Sequence, residues 1–145
     1  MNPHHEARLA RTAAWLTATG GLPFVLTAAL AAYITEPADW IIHALTGYGV
    51  VILSFLGGIH WGRGLMAGQP GRLWIAVIPA LYAWLVALLA PWPASAWWLA
   101  AGFLAMLALD ARDTALPAWY RRLRWIITIV VVLVLLGAAL AANPL

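Results

Sequence analysis

The chain has 145 residues, of which 65% are hydrophobic and 9% charged, with a formal net charge of +3; soluble domains sit near half and a quarter. That leaves too little polar side chain to coat a soluble globule, so the length allows one domain whose segments face lipid and pack against one another, with no second domain or long linker. All eight basic residues are arginine, with no lysine or cysteine, which excludes a Schiff-base lysine, a Walker-type phosphate loop, a thiol nucleophile, a disulfide and a thiolate metal site.

Residues 1–11 read as a short cytoplasmic tail and residues 12–145 as a single transmembrane domain. The tail carries His4-His5-Glu6, which could chelate a metal only adventitiously. Arg8 and Arg11 then precede an apolar run containing Ala29-Leu30-Ala31, in the manner of a cleaved secretory signal. Gly20-Gly21-Leu22-Pro23 breaks that run, so it is taken as a first membrane span. A membrane helix needs about 20 predominantly apolar residues. Five segments qualify or nearly do, over about 12–34, 40–61, 73–91, 93–111 and 125–140. Pro23 and Pro79 interrupt spans, and Pro37 and Pro93 stand at span ends, each pair separated by 56 residues, which hints at a repeated helical hairpin.

Arginine placement gives the orientation, because short cytoplasmic segments retain basic residues. Arg8 and Arg11 precede the first span, Arg63 and Arg72 lie between the second and third, and Arg112, Arg121, Arg122 and Arg124 lie between the fourth and fifth. The other side holds Glu36, Asp39, the turn Pro91-Trp92-Pro93-Ala94-Ser95 and the tail Asn143-Pro144-Leu145. The expectation is an all-α polytopic bundle of five spans with the N-terminus inside and the C-terminus outside. Trp40, Trp92, Trp97 and Trp98 would mark the outer interface, and Trp61, Trp74, Trp119 and Trp125 the inner one.

On the second span His43, Gly47, Ser54, Gly58 and Trp61 fall within about 60° of one another on a helix. This small, polar stripe suits close helix packing through Gly57, Gly58 and Gly62, facing Ala101, Ala105 and Ala108 of the fourth span. The alternative is a polar cavity lining. The fifth span, with only Thr128 as a polar group from Ile126 to Leu136, should face lipid over much of its circumference.

Asp110 falls at the inner end of the fourth span and needs a partner, because a lone aspartate at mid-helix costs about 2.5–3.5 kcal/mol on insertion scales. Arg63, Arg112, Arg121 and Arg124 lie at similar depth. His60 occupies the same level on the second span and could transfer protons near neutral pH. A structural clamp and a helix-end histidine are the plainer readings of these two residues; a proton relay or ligand site is the sharper one. His43 and His60 are about 25 Å apart along one helix and cannot share a metal. No metal site or cofactor is expected. The basic run from Arg121 to Arg124 fixes topology and could also bind anionic headgroups.

The segment Ser54-Phe55-Leu56-Gly57-Gly58-Ile59-His60-Trp61-Gly62, the intramembrane Ile78-Pro79, Asp110-Ala111-Arg112 and Leu116-Pro117-Ala118-Trp119-Tyr120-Arg121-Arg122-Leu123-Arg124 together resemble the bacterial domain-of-unknown-function family 3429, which is related to mitochondrial transmembrane protein 69. The resemblance covers nearly the whole chain outside the N-terminal tail. It implies a small bacterial inner-membrane protein of about five spans and carries no reaction. The expected function is non-enzymatic: binding or passing a proton, lipid or quinone-like molecule at an inner-leaflet site of His60, Arg63, Asp110, Arg112 and Tyr120. The alternatives are an assembly partner of another membrane complex and a membrane-embedded acid/base enzyme. The expected partners are the bilayer, including anionic lipid, and a second copy or another membrane protein, but not nucleic acid.

Overall fold

The computed structural model describes residues 3–34 and 39–141. They form five helices: α1 Pro3–Tyr33, α2 Asp39–Met66, α3 Pro70–Leu89, α4 Ala94–Arg112 and α5 Ala118–Ala141. All five are long and apolar enough to cross a membrane. In hydrocarbon every backbone N–H and C=O must be satisfied within the protein, and a helix does this within one segment. Glu36, Pro37 and the tail Asn143-Pro144-Leu145 lie outside the described residues.

Helix ends follow local chemistry. α2 begins with Asp39 in its first turn and has Arg63 in its last, each matching the helix dipole. It stops in a Schellman motif, where Gln69 N–H donates to the Gly64 carbonyl at 2.9 Å, Gly68 N–H donates to Leu65 at 3.2 Å, and Gly68 takes φ 61°. Pro70 then opens α3, where its missing N–H costs nothing. The helices outrun the apolar segments: α1 starts within the expected tail, α5 starts at Ala118 rather than near 125, and α2 reaches Met66. Hydropathy marks only the hydrocarbon portion, whereas arginine-bearing turns continue the helix into the headgroup level.

Each helix packs on its chain neighbours, α1 closes the ring against α5, and α2 touches α4 across the middle. At the centre Phe24 stands edge-on to Tyr48 and Phe103, with ring centroids 5.0 and 6.0 Å apart. Around them lie Leu45, Leu53, Leu99 and Leu135, all buried. The Tyr48 hydroxyl donates to the Gly20 carbonyl at 2.6 Å, tying α2 to α1 just before Pro23.

The packing stripe expected on α2 is corrected. Gly58 and Gly62 have nothing within 4 Å of where a Cβ would stand, and His43, Gly47 and Trp61 are exposed. The buried face is Ile41, Leu45, Gly49, Leu53, Leu56, Gly57, His60 and Gly64. A Cβ on Gly57 would run into the Ala76 carbonyl oxygen, and one on Gly64 would lie 3.0 Å from the Arg72 Cβ, so α2 presses on α3 rather than on the alanines of α4. Ala101 and Ala105 are exposed and line a groove between α3 and α4; the close approach on α4 is made by Gly102 against Leu53 and Tyr82. α5 leaves Ile126, Ile129, Val130, Leu133 and Leu140 exposed, as expected of a helix facing lipid over much of its circumference, and buries one stripe of Arg124, Thr128, Val131, Val132, Leu135 and Ala139. The cause of the misplaced faces on α2 and α4 is common to both: when both environments are apolar, hydrophobicity does not tell core from lipid.

Candidate functional site at the arginine-bearing end

The sequence places an aspartate in the last turn of α4 and another one residue past its end, and the two carboxylates gather different partners. Asp110 is buried. Its Oδ1 lies 3.0 Å from the His60 Nε2 of α2, and its Oδ2 accepts from the Arg124 Nε of α5 at 2.6 Å. The side chains of all three residues are at most 8% exposed. With Nε2–H donating to the carboxylate, Nδ1 is left as the second ring nitrogen of His60, outside the contact with Asp110.

Asp113, just outside α4, forms the second cluster. Its Oδ2 accepts from Arg63 at 2.8 Å and Arg72 at 2.7 Å, while Oδ1 accepts the Ala115 N–H at 3.1 Å and closes the turn toward α5. The Arg72 and Arg63 guanidinium groups hold its carboxyl well below the usual carboxylate range. Together the two aspartates tie α4 to α2, α3 and α5.

The expected site residues therefore separate. His60 and Asp110 meet directly, and the arginine that completes their cluster is Arg124. Arg63 is engaged by Asp113 instead. Arg112 is exposed and makes no ion pair among the described residues; it lines an open cleft of about 340 Å³ with His60, Arg72, Asp113 and Thr114. Tyr120 lies on the other side, in a slot of about 330 Å³ between α1, α2 and α5 that Arg124 also lines. Asp113 was not singled out by sequence; its signal was the three-residue step from Asp110 at a helix end facing several arginines. Arg124 Nη2 is buried without a hydrogen-bond partner among the described residues, as are Trp119 Nε1 and Thr128 Oγ1. No three His, Asp or Glu side chains converge as metal ligands among the described residues.

The profile of the family described as "Protein of unknown function (DUF3429)" matches residues 9–140. The chain belongs to the DUF3429 family. It is also similar to transmembrane protein 69 of Xenopus tropicalis, 34% identical over 149 aligned positions that cover 92% of this chain and 55% of the relative. The chain thus spans about half the length of that curated relative. No solved structure matches. With its five apolar helices, this DUF3429 member is a small multi-pass membrane protein.

Proposed function

We propose that this DUF3429 protein is a non-enzymatic small-molecule binder of the bacterial inner membrane, with its N-terminus inside. It holds a proton, lipid or quinone-like molecule at an inner-leaflet site built on His60, Asp110 and Arg124, with Arg112 and Tyr120 at the two flanking openings.

The supporting observation is that the buried triad is flanked by openings and not fully satisfied. Burying charges costs several kcal/mol per ion, and good geometry with complete hydrogen bonding must offset it. A pure clamp would consume its donors. Here His60 borders one opening, Arg124 borders another, and Arg124 Nη2 has no partner among the described residues.

The test is native mass spectrometry of the chain extracted in mild detergent and, separately, in lipid nanodiscs. A small molecule bound near one per chain, and depleted in His60→Gln or Tyr120→Phe, is expected. A wild-type chain carrying nothing beyond bulk lipid would overturn the reading in favour of an assembly partner, for which the open face at Gly58 and Gly62 would be the contact.

A further inference from the structure

The slot between α1, α2 and α5 has a polar end and an apolar body. It extends along α1 from Ala13 to Phe24, about 16 Å at the helical rise. Its polar lining is Thr17, Tyr120 and Arg124; Phe24, Phe55 and aliphatic side chains supply most of the rest. Since Ala10 and Arg11 lie beside Ala118 and Trp119, α1 and α5 run parallel, and Tyr120 and Arg124 stand at the arginine-bearing end of the slot. Neither the Tyr120 hydroxyl nor the buried Arg124 Nη2 has a hydrogen-bond partner among the described residues.

We propose that this slot binds an amphipathic molecule through a neutral carbonyl, which accepts hydrogen bonds from Arg124 and Tyr120 while its apolar chain lies along α1. The assignment rests on the small-molecule reading above and names the class of occupant. Three features select it. The volume of about 330 Å³ is at the small end of ligand pockets, which run about 300–1,000 Å³, enough for a head group and the first part of a chain whose remainder continues into lipid. Arg124 can only donate hydrogen bonds, so a head group that meets it must accept, and the Tyr120 hydroxyl can donate to the same oxygen. Arg124 is already neutralised by Asp110 at 2.6 Å. A carboxylate there would place a second negative charge beside Asp110 in a low-dielectric interior, where like charges repel strongly; a carbonyl oxygen takes the N–H without adding charge. A lipid-soluble quinone and a lipid ester both present that chemistry.

The experiment uses the full chain in lipid nanodiscs and three probes with the same photoreactive hydrocarbon tail, headed by a benzoquinone, a methyl ester or, at alkaline pH, a carboxylate. Saturable, competable labelling by the quinone or the ester, mapped by peptide mass spectrometry to the facing walls of α1 and α5, is expected. The stronger of those two arms identifies the source of the carbonyl. Tyr120→Phe should weaken binding roughly three- to tenfold, the range of one hydrogen bond. A Cβ at Gly20 meets nothing nearer than the Tyr48 hydroxyl at 3.9 Å, so Gly20→Leu should fill the slot and abolish saturable labelling. If that variant does not fold, Leu123→Trp fills the slot from α5. Ala101→Leu, in the separate groove between α3 and α4, should label like wild type. Tightest binding by the carboxylate, or full labelling of the filled slot, would overturn the assignment. If no probe binds while the purified chain still carries another small molecule, this occupant is wrong and the broader binding function stands. An empty chain ends both.

Discussion

Adjacent glycines on α2 should respond to the same substitution with opposite sign. Gly57→Ala and Gly58→Ala each replace the poorest ordinary helix former with the best, a gain of about 0.5–1 kcal/mol. At Gly58 nothing lies within 4 Å of the new methyl, so the gain should be realised. At Gly57 the methyl would overlap the Ala76 carbonyl oxygen and touch the Pro79 Cβ at 3.5 Å. The obstructing atom is backbone, which cannot rotate away, so α2 and α3 must separate. Overpacking of this kind costs about 1–3 kcal/mol. Because the propensity gain is common to both variants, the difference in stability between them measures the overlap alone and should fall in that range. Reversible unfolding in mixed detergent micelles, followed by helical circular dichroism, provides the comparison. Equal stabilities, or Gly58→Ala as the weaker protein, would refute the close α2–α3 contact.

Single cysteines at Pro91 and Gln69, both exposed at turns, should label from opposite faces of intact cells, Pro91→Cys from outside; labelling of both from one face would refute the five-span path. Asp110→Asn should leave Arg124 buried without its counter-charge, a loss of about 3–5 kcal/mol, and Asp110→Asn with Arg124→Gln should unfold at higher denaturant than Asp110→Asn alone; strict additivity would mean the two side chains do not interact. Asp113 gives a pH signature: its folded carboxyl titrates below its ordinary value near 3.8, so its stabilisation is present above that value and is lost as pH falls through the folded one. In acid titrations in detergent, wild type should therefore weaken more steeply than Asp113→Asn, which starts less stable at neutral pH; parallel curves would count against the Arg63–Asp113–Arg72 contact.

The five helices were legible because long charge-free runs have few alternatives in a chain this apolar. The meeting of His60 and Asp110 was legible for a related reason: helical rise is fixed, so counting inward from Trp40 and Pro93 brings both to one depth. Depth does not give angle. Arg63, Arg112, Arg121 and Arg124 share a level, and only packing decides that Arg124 turns toward Asp110 while Arg63 turns toward Asp113. Gly57 and Gly58 pose the same problem one residue apart, about 100° around the helix. Neither composition nor periodicity could select the glycine that meets α3, since lipid and core reward the same side chains. Asp113 escaped notice because its role depends on a loop conformation that gathers Arg63, Arg72 and the Ala115 N–H around one carboxylate.

The Asp110–Arg124 pair has a consequence for biogenesis. Asp110 is synthesised on α4, but its guanidinium partner arrives only with α5, and the closing contact of the helix ring, α1 against α5, must wait for the same event. During insertion the nascent chain therefore carries an acidic group whose one side-chain partner ahead of α5, among the described residues, is His60, and α1 is held by α2 and by the Phe24–Phe103 ring contact with α4. The countercharge and the final wall of the slot are delivered in one step. A ribosome stalled before α5 would hold a four-helix intermediate with an unsatisfied carboxylate, the kind of polar intramembrane feature that membrane quality control could discriminate from a finished product.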